Sequence, residues 1–168
     1  MFPEILLKKA VPGKNVASKE FNPKLVKGTE NIFNAGASLF DAYPETAVVK
    51  PYVFQNLKTD VEGIIIELNE EYVINVVELH LWDEKEVYYS YTVEVSSDGR
   101  NWVYVYKTNQ HAEGLKSIQT HEFCPRIVKF IRINGRQSKT VSEFAFCTLK
   151  AFYRPEKQIG RASCRERV

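Results

Sequence analysis

The sequence has few of the features that mark enzymes, membrane proteins or disulfide-rich secreted domains. Its 168 residues include only three cysteines and three histidines. No apolar run approaches the length of about 18 residues that a membrane-spanning helix needs. The motifs G-x-S-x-G, H-E-x-x-H, Walker A and G-x-G-x-x-G are all missing. The length suits one domain. The missing motifs favour a recognition or structural role over catalysis.

Net charge is also almost absent. The formal charge is +2, but residues 158–168 resemble the translation of a sequencing-adapter oligonucleotide, and we interpret them as a non-native scar. Without the three arginines and one glutamate of that tail, 20 basic and 20 acidic residues remain. A genuine basic tail is the less favoured alternative. This balance gives no reason to expect nucleic acid or an anionic membrane as a partner.

The histidines and acids do not form a recognisable catalytic or metal-binding group. His80, His111 and His121 are dispersed, and His121 and Glu122, as neighbours in a predicted strand, point to opposite faces. His80 alternates outward, and His111 lies in a predicted turn. Asp83 is expected to cap a turn rather than to bind calcium. We therefore predict no enzymatic activity, no cofactor and no metal.

The sequence is rich in strand periodicity. Between residues 73 and 106, three runs place alternate apolar or aromatic residues on one face. These are Val77, Leu79 and Leu81 in the first run, Tyr91, Val93 and Val95 in the second, and Trp102, Tyr104 and Tyr106 in the third. Asp98-Gly99 separates the last two runs, where a tight turn needs a residue tolerant of positive φ. The pattern predicts a β-meander with Tyr91 and Tyr104 in the core.

Other runs extend the β pattern along the chain. Strands are predicted at 15–18, 37–41, 61–68, 117–123, 127–134 and 142–153, with a long surface loop at 19–34. Ile64-Ile65-Ile66 is too apolar to alternate, so we expect it to be buried on both faces. Helical periodicity is almost absent. The chain is therefore predicted to be all-β, with a linker at 1–12 and one sandwich domain at 13–157.

Several of these stretches resemble a known family. A strand ending in Leu-x-Leu-Trp-Asp at Asp83, followed by Tyr-x-Val-Glu-Val-Ser-Ser-Asp-Gly-x-x-Trp at 91–102, resembles the coagulation factor V/VIII type C, or discoidin, domain. Residues 125–133 resemble its penultimate core strand, and 15–18 and 37–41 its first strand and early hairpin. Trp82-Asp83 followed by Tyr88-Tyr89-Ser90-Tyr91 is most similar to the paired discoidin domains of intracellular BTB/POZ domain-containing protein 9-like proteins.

The resemblance implies a jelly-roll, galactose-binding-like β-sandwich whose loops at one end contact a ligand. The candidate ligand-binding residues combine aromatic area with polar or charged groups: Tyr43, Glu45, Tyr52, Asp83, Glu84, Lys85, Tyr88 and Tyr89. For Tyr88 and Tyr89, packing at a strand edge is an equal alternative. The expected residues of the structural core are Trp82, Tyr91, Trp102, Ile131 and Arg132. Of these, Trp82 and Trp102 are expected to anchor the core, and Arg132 to form an ion pair across the sheet.

The resemblance also implies the kind of partner. The chain would be a fragment of an adaptor with an N-terminal BTB domain, linked to a cullin-type ubiquitin ligase, and this module would contact a partner or substrate protein. A glycan-binding, lectin-like module is the alternative. Membrane binding is disfavoured because the predicted loop tips, 44–46 and 83–86, are acidic.

The cysteines bear on the cellular compartment. Cys164 lies in the tail, which leaves Cys124 and Cys147. Secreted members of the family that this chain resembles join their termini by a disulfide, and the N-terminal cysteine of that pair is missing here. This departure favours a reducing compartment, the cytosol. We expect Cys124 and Cys147 to be partly buried thiols, with a disulfide between them as the alternative.

Overall fold

The computed structural model describes residues 9–31, 39–41, 51–82, 88–108, 117–136 and 141–155. The predicted all-β class is confirmed. A 3₁₀ turn at Lys19–Phe21 is followed by β1 (Lys24–Lys27), β2 (Thr29–Glu30), β3 (Val53–Asn56), β4 (Ile64–Leu81), β5 (Tyr91–Ser96), β6 (Val103–Lys107), β7 (Ile118–Gly135) and β8 (Glu143–Phe152). Within these ranges, no helix has the length and apolar character needed to cross a membrane.

Two long antiparallel strands organise the sandwich. The strand order is β2-β3-β8-β4-β7-β5-β6, and β1 pairs with β4. β4 and β7 are 18 residues each and pair along most of their length, with a break in register between Glu67 and Tyr72. The first part of β4 lies beside β1 and the end of β7. Its last part lies beside β8 and the start of β7. Both strands therefore belong to both layers of the sandwich.

The predicted meander is wrong, although its second half is a hairpin. β5 pairs with β6, and the turn between them is the predicted one: Gly99 has φ +79°, and the Asp98 carboxylate accepts backbone hydrogen bonds from Arg100 (2.8 Å) and Asn101 (2.9 Å). However, β7 lies between β4 and β5. Because β7 is antiparallel to both, β4 and β5 are parallel and cannot form a hairpin.

Long-range pairing also changes the predicted strand limits. The strands predicted at 117–123 and 127–134 are one strand, β7, and the described part of the predicted loop at 19–34 contains β1 and β2. The predicted strand at 15–18 is wrong: residues 16–18 form a turn and a bend. The Asn15 side chain accepts backbone hydrogen bonds from Ala17 and Ala151, both 3.0 Å, so this segment contacts β8 without becoming a strand. Residues 39–41 are not a strand, and the rest of 37–41 lies outside the described residues.

The core between the layers is built from aliphatic and aromatic side chains. Ile64 and Ile66 are fully buried and Ile65 is 8% exposed, as expected for a strand covered on both faces. The predicted strand at 61–68 nevertheless begins only at Ile64. Asp60 accepts backbone hydrogen bonds from Glu62 and Gly63, and these form a turn that leaves Val61 87% exposed.

A β-bulge reverses the predicted position of Tyr104. Val93 is paired with Tyr106, but the next residue, Glu94, is paired with Tyr104, so the register shifts between them. Such a shift moves side chains to the other face. Tyr106 points inward, whereas Tyr104 lies on the outer face and is 59% exposed. The prediction of Tyr104 as a core residue is therefore wrong.

The two cysteines differ. Cys147 is a buried thiol that is not in a disulfide, as expected. Cys124 is half-buried and disulfide-bonded, so the expectation of a thiol is wrong at this position. Because Cys147 is not in a disulfide, the alternative pairing between these two residues is wrong as well.

Candidate binding site at the loop end

One end of the sandwich contains both ends of the described chain, and the other contains the connections between strands. At one end, Pro12 forms a parallel bridge with Tyr153, and Val73 donates a backbone hydrogen bond to Lys9 (3.0 Å). Both ends of the described chain therefore lie together, close to the register break of β4. We call this the terminal end.

The opposite end gathers the residues where the connections begin and finish. Four backbone hydrogen bonds join them: Leu81 donates to Ser117 (2.9 Å), Thr108 to Tyr91 (3.0 Å), Arg136 to Ser90 (2.8 Å) and Leu57 to Ser142 (2.9 Å). The connections that follow β3, β4, β6 and β7 thus start or finish at one place. We call this the loop end. A rigid sheet with several connections at one end is a common arrangement for recognition.

An aromatic patch lies on the outer face of β3, β8 and β4 at the loop end. Val53 and Gln55 are buried, so the alternate residues Tyr52 and Phe54 point outward. The Tyr52 ring lies 4.9 Å from the Trp82 ring and 6.1 Å from the Phe54 ring, centroid to centroid. These three partly exposed rings form what we call the loop-end patch.

The floor of the patch is made of small side chains on β8. Ala145 is paired with Phe54 in the β3–β8 ladder, and its carbonyl accepts a backbone hydrogen bond from Trp82 (3.1 Å). The aromatic rings therefore flank Ala145 from both sides. Ala145 is 2% exposed and Cys147 is 1% exposed. A larger residue at either position would displace the rings.

A carboxylate stands at the edge of the patch. Glu143 begins β8 opposite Asn56 and is exposed. Partial burial and, next in size, the charge of Glu143 raise the pKa of Tyr52 above its usual value, so the carboxylate acts on the Tyr52 hydroxyl. None of the ion pairs between described residues includes Glu143. The patch thus combines aromatic surface with an uncompensated negative charge.

The candidate ligand-binding residues have different locations. Tyr52 belongs to the loop-end patch, and Tyr88 is 43% exposed. Tyr89 is only 4% exposed and packs edge-on against Phe144, with centroids 5.4 Å apart. Its predicted ligand contact is corrected to a core position. The other candidates lie outside the described residues: Tyr43, Glu45, Asp83, Glu84 and Lys85.

The sequence prediction missed two residues of the patch. Phe54 alternates with Val53 and Gln55, and that signal was available in the sequence. Glu143 reaches the patch only because β8 pairs with β3, and no local pattern announces this pairing.

A second aromatic and charged cluster lies on the outer face of β5, β6 and β7. Arg132 donates two hydrogen bonds to the Glu94 carboxylate, at 2.7 and 3.0 Å, so the predicted ion pair is present. The guanidinium also lies over the Trp102 ring, 4.1 Å from its centroid, and that ring contacts Phe130 edge-on. We call these residues the Arg132 cluster.

The prediction that Trp82 and Trp102 anchor the core between the layers is wrong. Trp82 and Trp102 are half-buried, each on the outer face of a different layer. Of the remaining predicted structural residues, Tyr91 and Ile131 are fully buried.

A histidine is enclosed within the sandwich. His121 is 6% exposed, shares a 2.6 Å hydrogen bond with the Tyr91 hydroxyl and stacks on Tyr106, with centroids 3.8 Å apart. Burial lowers the pKa of His121 to about 4 because the charged imidazolium loses its hydration. The residue is therefore neutral at physiological pH.

A cleft of about 480 Å³ lies at the terminal end, lined by Lys9, Glu71, Tyr72 and Lys129 among others. Three of its four charged lining residues are paired: Lys9 lies 3.3 Å from Glu71, and Lys129 lies 3.5 Å from Glu67, whereas Glu70 is in none of the ion pairs between described residues. This mutual neutralisation makes it a weaker candidate than the loop end.

An antiparallel sandwich whose described chain begins and finishes at one end, with its connections at the other, defines a class of β-sandwich binding modules. Comparison with known families identifies the member. The F5/8 type C domain model matches residues 33–148. The chain belongs to this family, and the predicted resemblance is confirmed.

Relatives in sequence confirm the predicted subfamily. The chain is 30% identical over 144 residues to BTB/POZ domain-containing protein 9 of Drosophila melanogaster, which covers 84% of this chain and 19% of that protein. It is also 30% identical over 128 residues to the Homo sapiens protein of the same name, covering 74% and 20%. The chain thus spans about a fifth of the length of the curated relatives that it matches.

Solved structures share the fold at low identity. Chitosan-binding module 1 of a Paenibacillus sp. IK-5 chitosanase/glucanase is 23% identical with a TM-score of 0.58, covering 83% of this chain and 98% of that one. The Clostridium perfringens module CpGH89CBM32-5, solved with GalNAc-β-1,3-galactose, is 14% identical with a TM-score of 0.61, covering 83% and 99%. These similarities establish the discoidin-like β-sandwich.

Proposed function

We propose that this chain is a non-catalytic recognition module that binds a protein partner through its loop end. The observation that carries the proposal is the convergence of four connections at that end, beside outward-facing rings and an exposed carboxylate. Exposed aromatic residues are frequent anchors of protein interfaces because they supply large contact areas at a low cost in conformational entropy.

The relatives support a place for the module within a larger adaptor. The chain matches about a fifth of BTB/POZ domain-containing protein 9. In our proposal a BTB domain elsewhere in the parent protein engages a cullin-type ubiquitin ligase, and the discoidin module contacts the substrate protein. The proposed location of this assembly is the cytosol.

The non-catalytic part of the proposal is supported by the surroundings of the histidines. His121 is enclosed by Tyr91 and Tyr106, away from solvent. His80 lies on an outer strand face opposite Thr148. A general base must reach the proton that it removes, and the buried position of His121 prevents this.

Glycan binding is the second candidate. The solved modules of similar fold include one named for chitosan binding and one in complex with GalNAc-β-1,3-galactose. In this chain, His80 lies on the same outer face as Trp82, two positions earlier in sequence, and an aromatic ring beside an imidazole suits a sugar. The exposed Glu143 beside the same rings instead favours a charged group, so we rank the protein partner first.

Affinity capture tests the proposal directly. The chain, immobilised and incubated with cytosolic lysate, is expected to retain specific proteins identified by mass spectrometry. A triple variant, Tyr43→Ala, Glu84→Ala and Tyr88→Ala, is expected to lose them, whereas Tyr104→Ala, on the opposite outer face, is expected to keep them. Saturable binding on a glycan array without protein capture would contradict the proposal and support the glycan candidate.

A further inference from the structure

We infer that the loop-end patch and Glu143 together form a site for a cationic side chain, arginine or lysine, of a partner peptide. This inference rests on the proposed protein-binding function and specifies its chemistry. Three partly exposed rings and a carboxylate meet on one outer face. Such a combination offers a cation both a π face and a counter-charge.

The molecule itself contains an example of a cation bound between an aromatic ring and a carboxylate. In the Arg132 cluster, a guanidinium lies 4.1 Å over an indole ring and donates two hydrogen bonds to a carboxylate. The outer face at the loop end offers the same two kinds of partner: the Trp82 backbone is hydrogen-bonded to Ala145, and Glu143 lies two residues before Ala145 on the same face of β8. The component that it lacks among the described residues is the cation. A guanidinium or ammonium group from outside supplies it.

The ring arrangement leaves room for such a group. The Tyr52 and Trp82 rings are inclined at 42° and the Tyr52 and Phe54 rings at 54°, so the three rings do not stack into a closed column. Beneath them, Ala145 and Cys147 are already covered. A planar guanidinium can therefore lie against a ring face without displacing a core side chain.

Charges near the patch favour a cation over an anion. Lys150, on the same outer face of β8, is already paired with Glu78 at 3.8 Å. In sequence, the run that follows Trp82 is acidic, Asp83-Glu84-Lys85-Glu86, whereas the stretches before Tyr52 and Glu143 contain Lys50 and Lys139. Among the described residues, the exposed Glu143 carboxylate is the charge at the patch that would repel an anionic partner, and charge complementarity mainly determines specificity and association rate.

Arginine is expected to bind more tightly than lysine. Its guanidinium is planar, stacks on aromatic rings and can donate two parallel hydrogen bonds to a carboxylate, whereas the ammonium group is compact and more strongly hydrated. The Arg132 cluster uses both properties within this chain.

Fluorescence anisotropy with matched peptides tests the inference. The probe is a labelled Gly-Ser heptapeptide with one central arginine, and its control carries citrulline, which keeps the shape but loses the charge. At low salt, we expect the chain to bind the arginine peptide about fivefold more tightly than the citrulline peptide. The preference should weaken as salt is raised.

Variants assign the preference to the patch. Glu143→Gln is expected to remove the preference for arginine, and Tyr52→Ala to weaken binding of the arginine peptide. Tyr104→Ala, an exposed ring beside Lys107 on the other layer, is the matched control and should bind as the parent chain does.

Other outcomes overturn the inference in distinguishable ways. Equal binding of the arginine and citrulline peptides, or a preference that persists in Glu143→Gln, would overturn it. Binding of glucosamine oligomers that depends on Glu143, with no binding of either peptide, would also overturn it. The bound cation would then be the amino group of a sugar and not a peptide side chain. Capture of a protein partner that is unaffected by Glu143→Gln would refute this inference and leave the proposed function intact.

Discussion

The two outer faces of the sandwich carry clusters of similar composition that differ in whether the charge of their glutamate is paired. Each contains a half-buried tryptophan, a second aromatic residue and a glutamate. In the Arg132 cluster, Glu94 is 5% exposed in its side chain and is neutralised by Arg132. In the loop-end patch, Glu143 is exposed and has no such partner among the described residues. A cluster that neutralises its own charge stabilises the fold, whereas one that leaves a charge in solvent can bind something else.

Register explains the difference. Glu94 stands directly opposite Arg132 in the β5–β7 ladder, so the two charges meet as a cross-strand pair. Glu143 stands opposite Asn56 in the β3–β8 ladder, so its cross-strand neighbour carries no charge. Three predictions test whether this contrast between the clusters is real, and a fourth tests the enclosed His121; they begin with the largest expected effect.

Breaking the Arg132 cluster should be the most destabilising change. Arg132→Met removes the cation and leaves the buried Glu94 carboxylate uncompensated, at an expected cost of about 3 kcal/mol in the free energy of unfolding. Urea denaturation followed by tryptophan fluorescence measures it. The double variant Glu94→Leu and Arg132→Met should recover much of the loss, because both charges are then gone. A loss in the double variant equal to that of Arg132→Met would contradict this explanation.

The enclosed His121 should make stability depend on pH. Its pKa is about 4 in the folded chain against 6.5 as the usual value, so the unfolded state binds a proton more readily. The stabilisation is therefore complete above about pH 6.5 and is lost as pH falls towards 4, by about 3 kcal/mol in total. Urea denaturation at pH 7.0, 5.5 and 4.5 measures this loss. His121→Gln should flatten the dependence, and His80→Gln should retain it; the reverse pattern would refute the assignment.

Removing the tryptophan of each cluster should distinguish the two surfaces. Trp82→Ala uncovers the floor of the loop-end patch, so Cys147 should react faster with a thiol reagent, with the labelled peptide identified by mass spectrometry. A stability loss of about 1–2 kcal/mol should accompany it. Trp102→Ala is the matched control and should leave the Cys147 rate unchanged. Equal rates in the two variants would show that Trp82 does not cover this thiol.

The smallest effect on stability should come from Glu143. Because its carboxylate is exposed and lacks an ion pair with the described residues, Glu143→Gln should change the free energy of unfolding by less than about 0.5 kcal/mol. Thermal denaturation followed by circular dichroism checks this. A loss comparable to that of Arg132→Met would mean that Glu143 stabilises the fold, and the contrast between the two clusters would disappear.

The sequence predicted what depends on local alternation. It correctly indicated the turn at Asp98-Gly99, the burial of residues 64–66 and the pairing role of Arg132, because each follows from neighbouring residues. It failed where strands from distant parts of the chain meet. The insertion of β7 between β4 and β5, and the position of Glu143 on the same outer face as Phe54, are set by long-range pairing that leaves no local signal.

Single-residue irregularities caused the other failures. One bulge moved Tyr104 to the outer face, and one side-chain turn at Asp60 exposed Val61. Both irregularities change the face of a residue without altering its hydropathy, and the alternating pattern alone therefore cannot reveal them.

The assignment of binding to one outer face and of stability to the other is tested most directly by mapping backbone amide shifts. An isotope-labelled chain is titrated with the arginine peptide, and the shift of each amide is recorded. We predict that the changes concentrate at residues 52–54, 82 and 143–147, and that residues 92–107 and 130–134 around the Arg132 cluster do not respond. Changes centred on the Arg132 cluster instead would contradict the account.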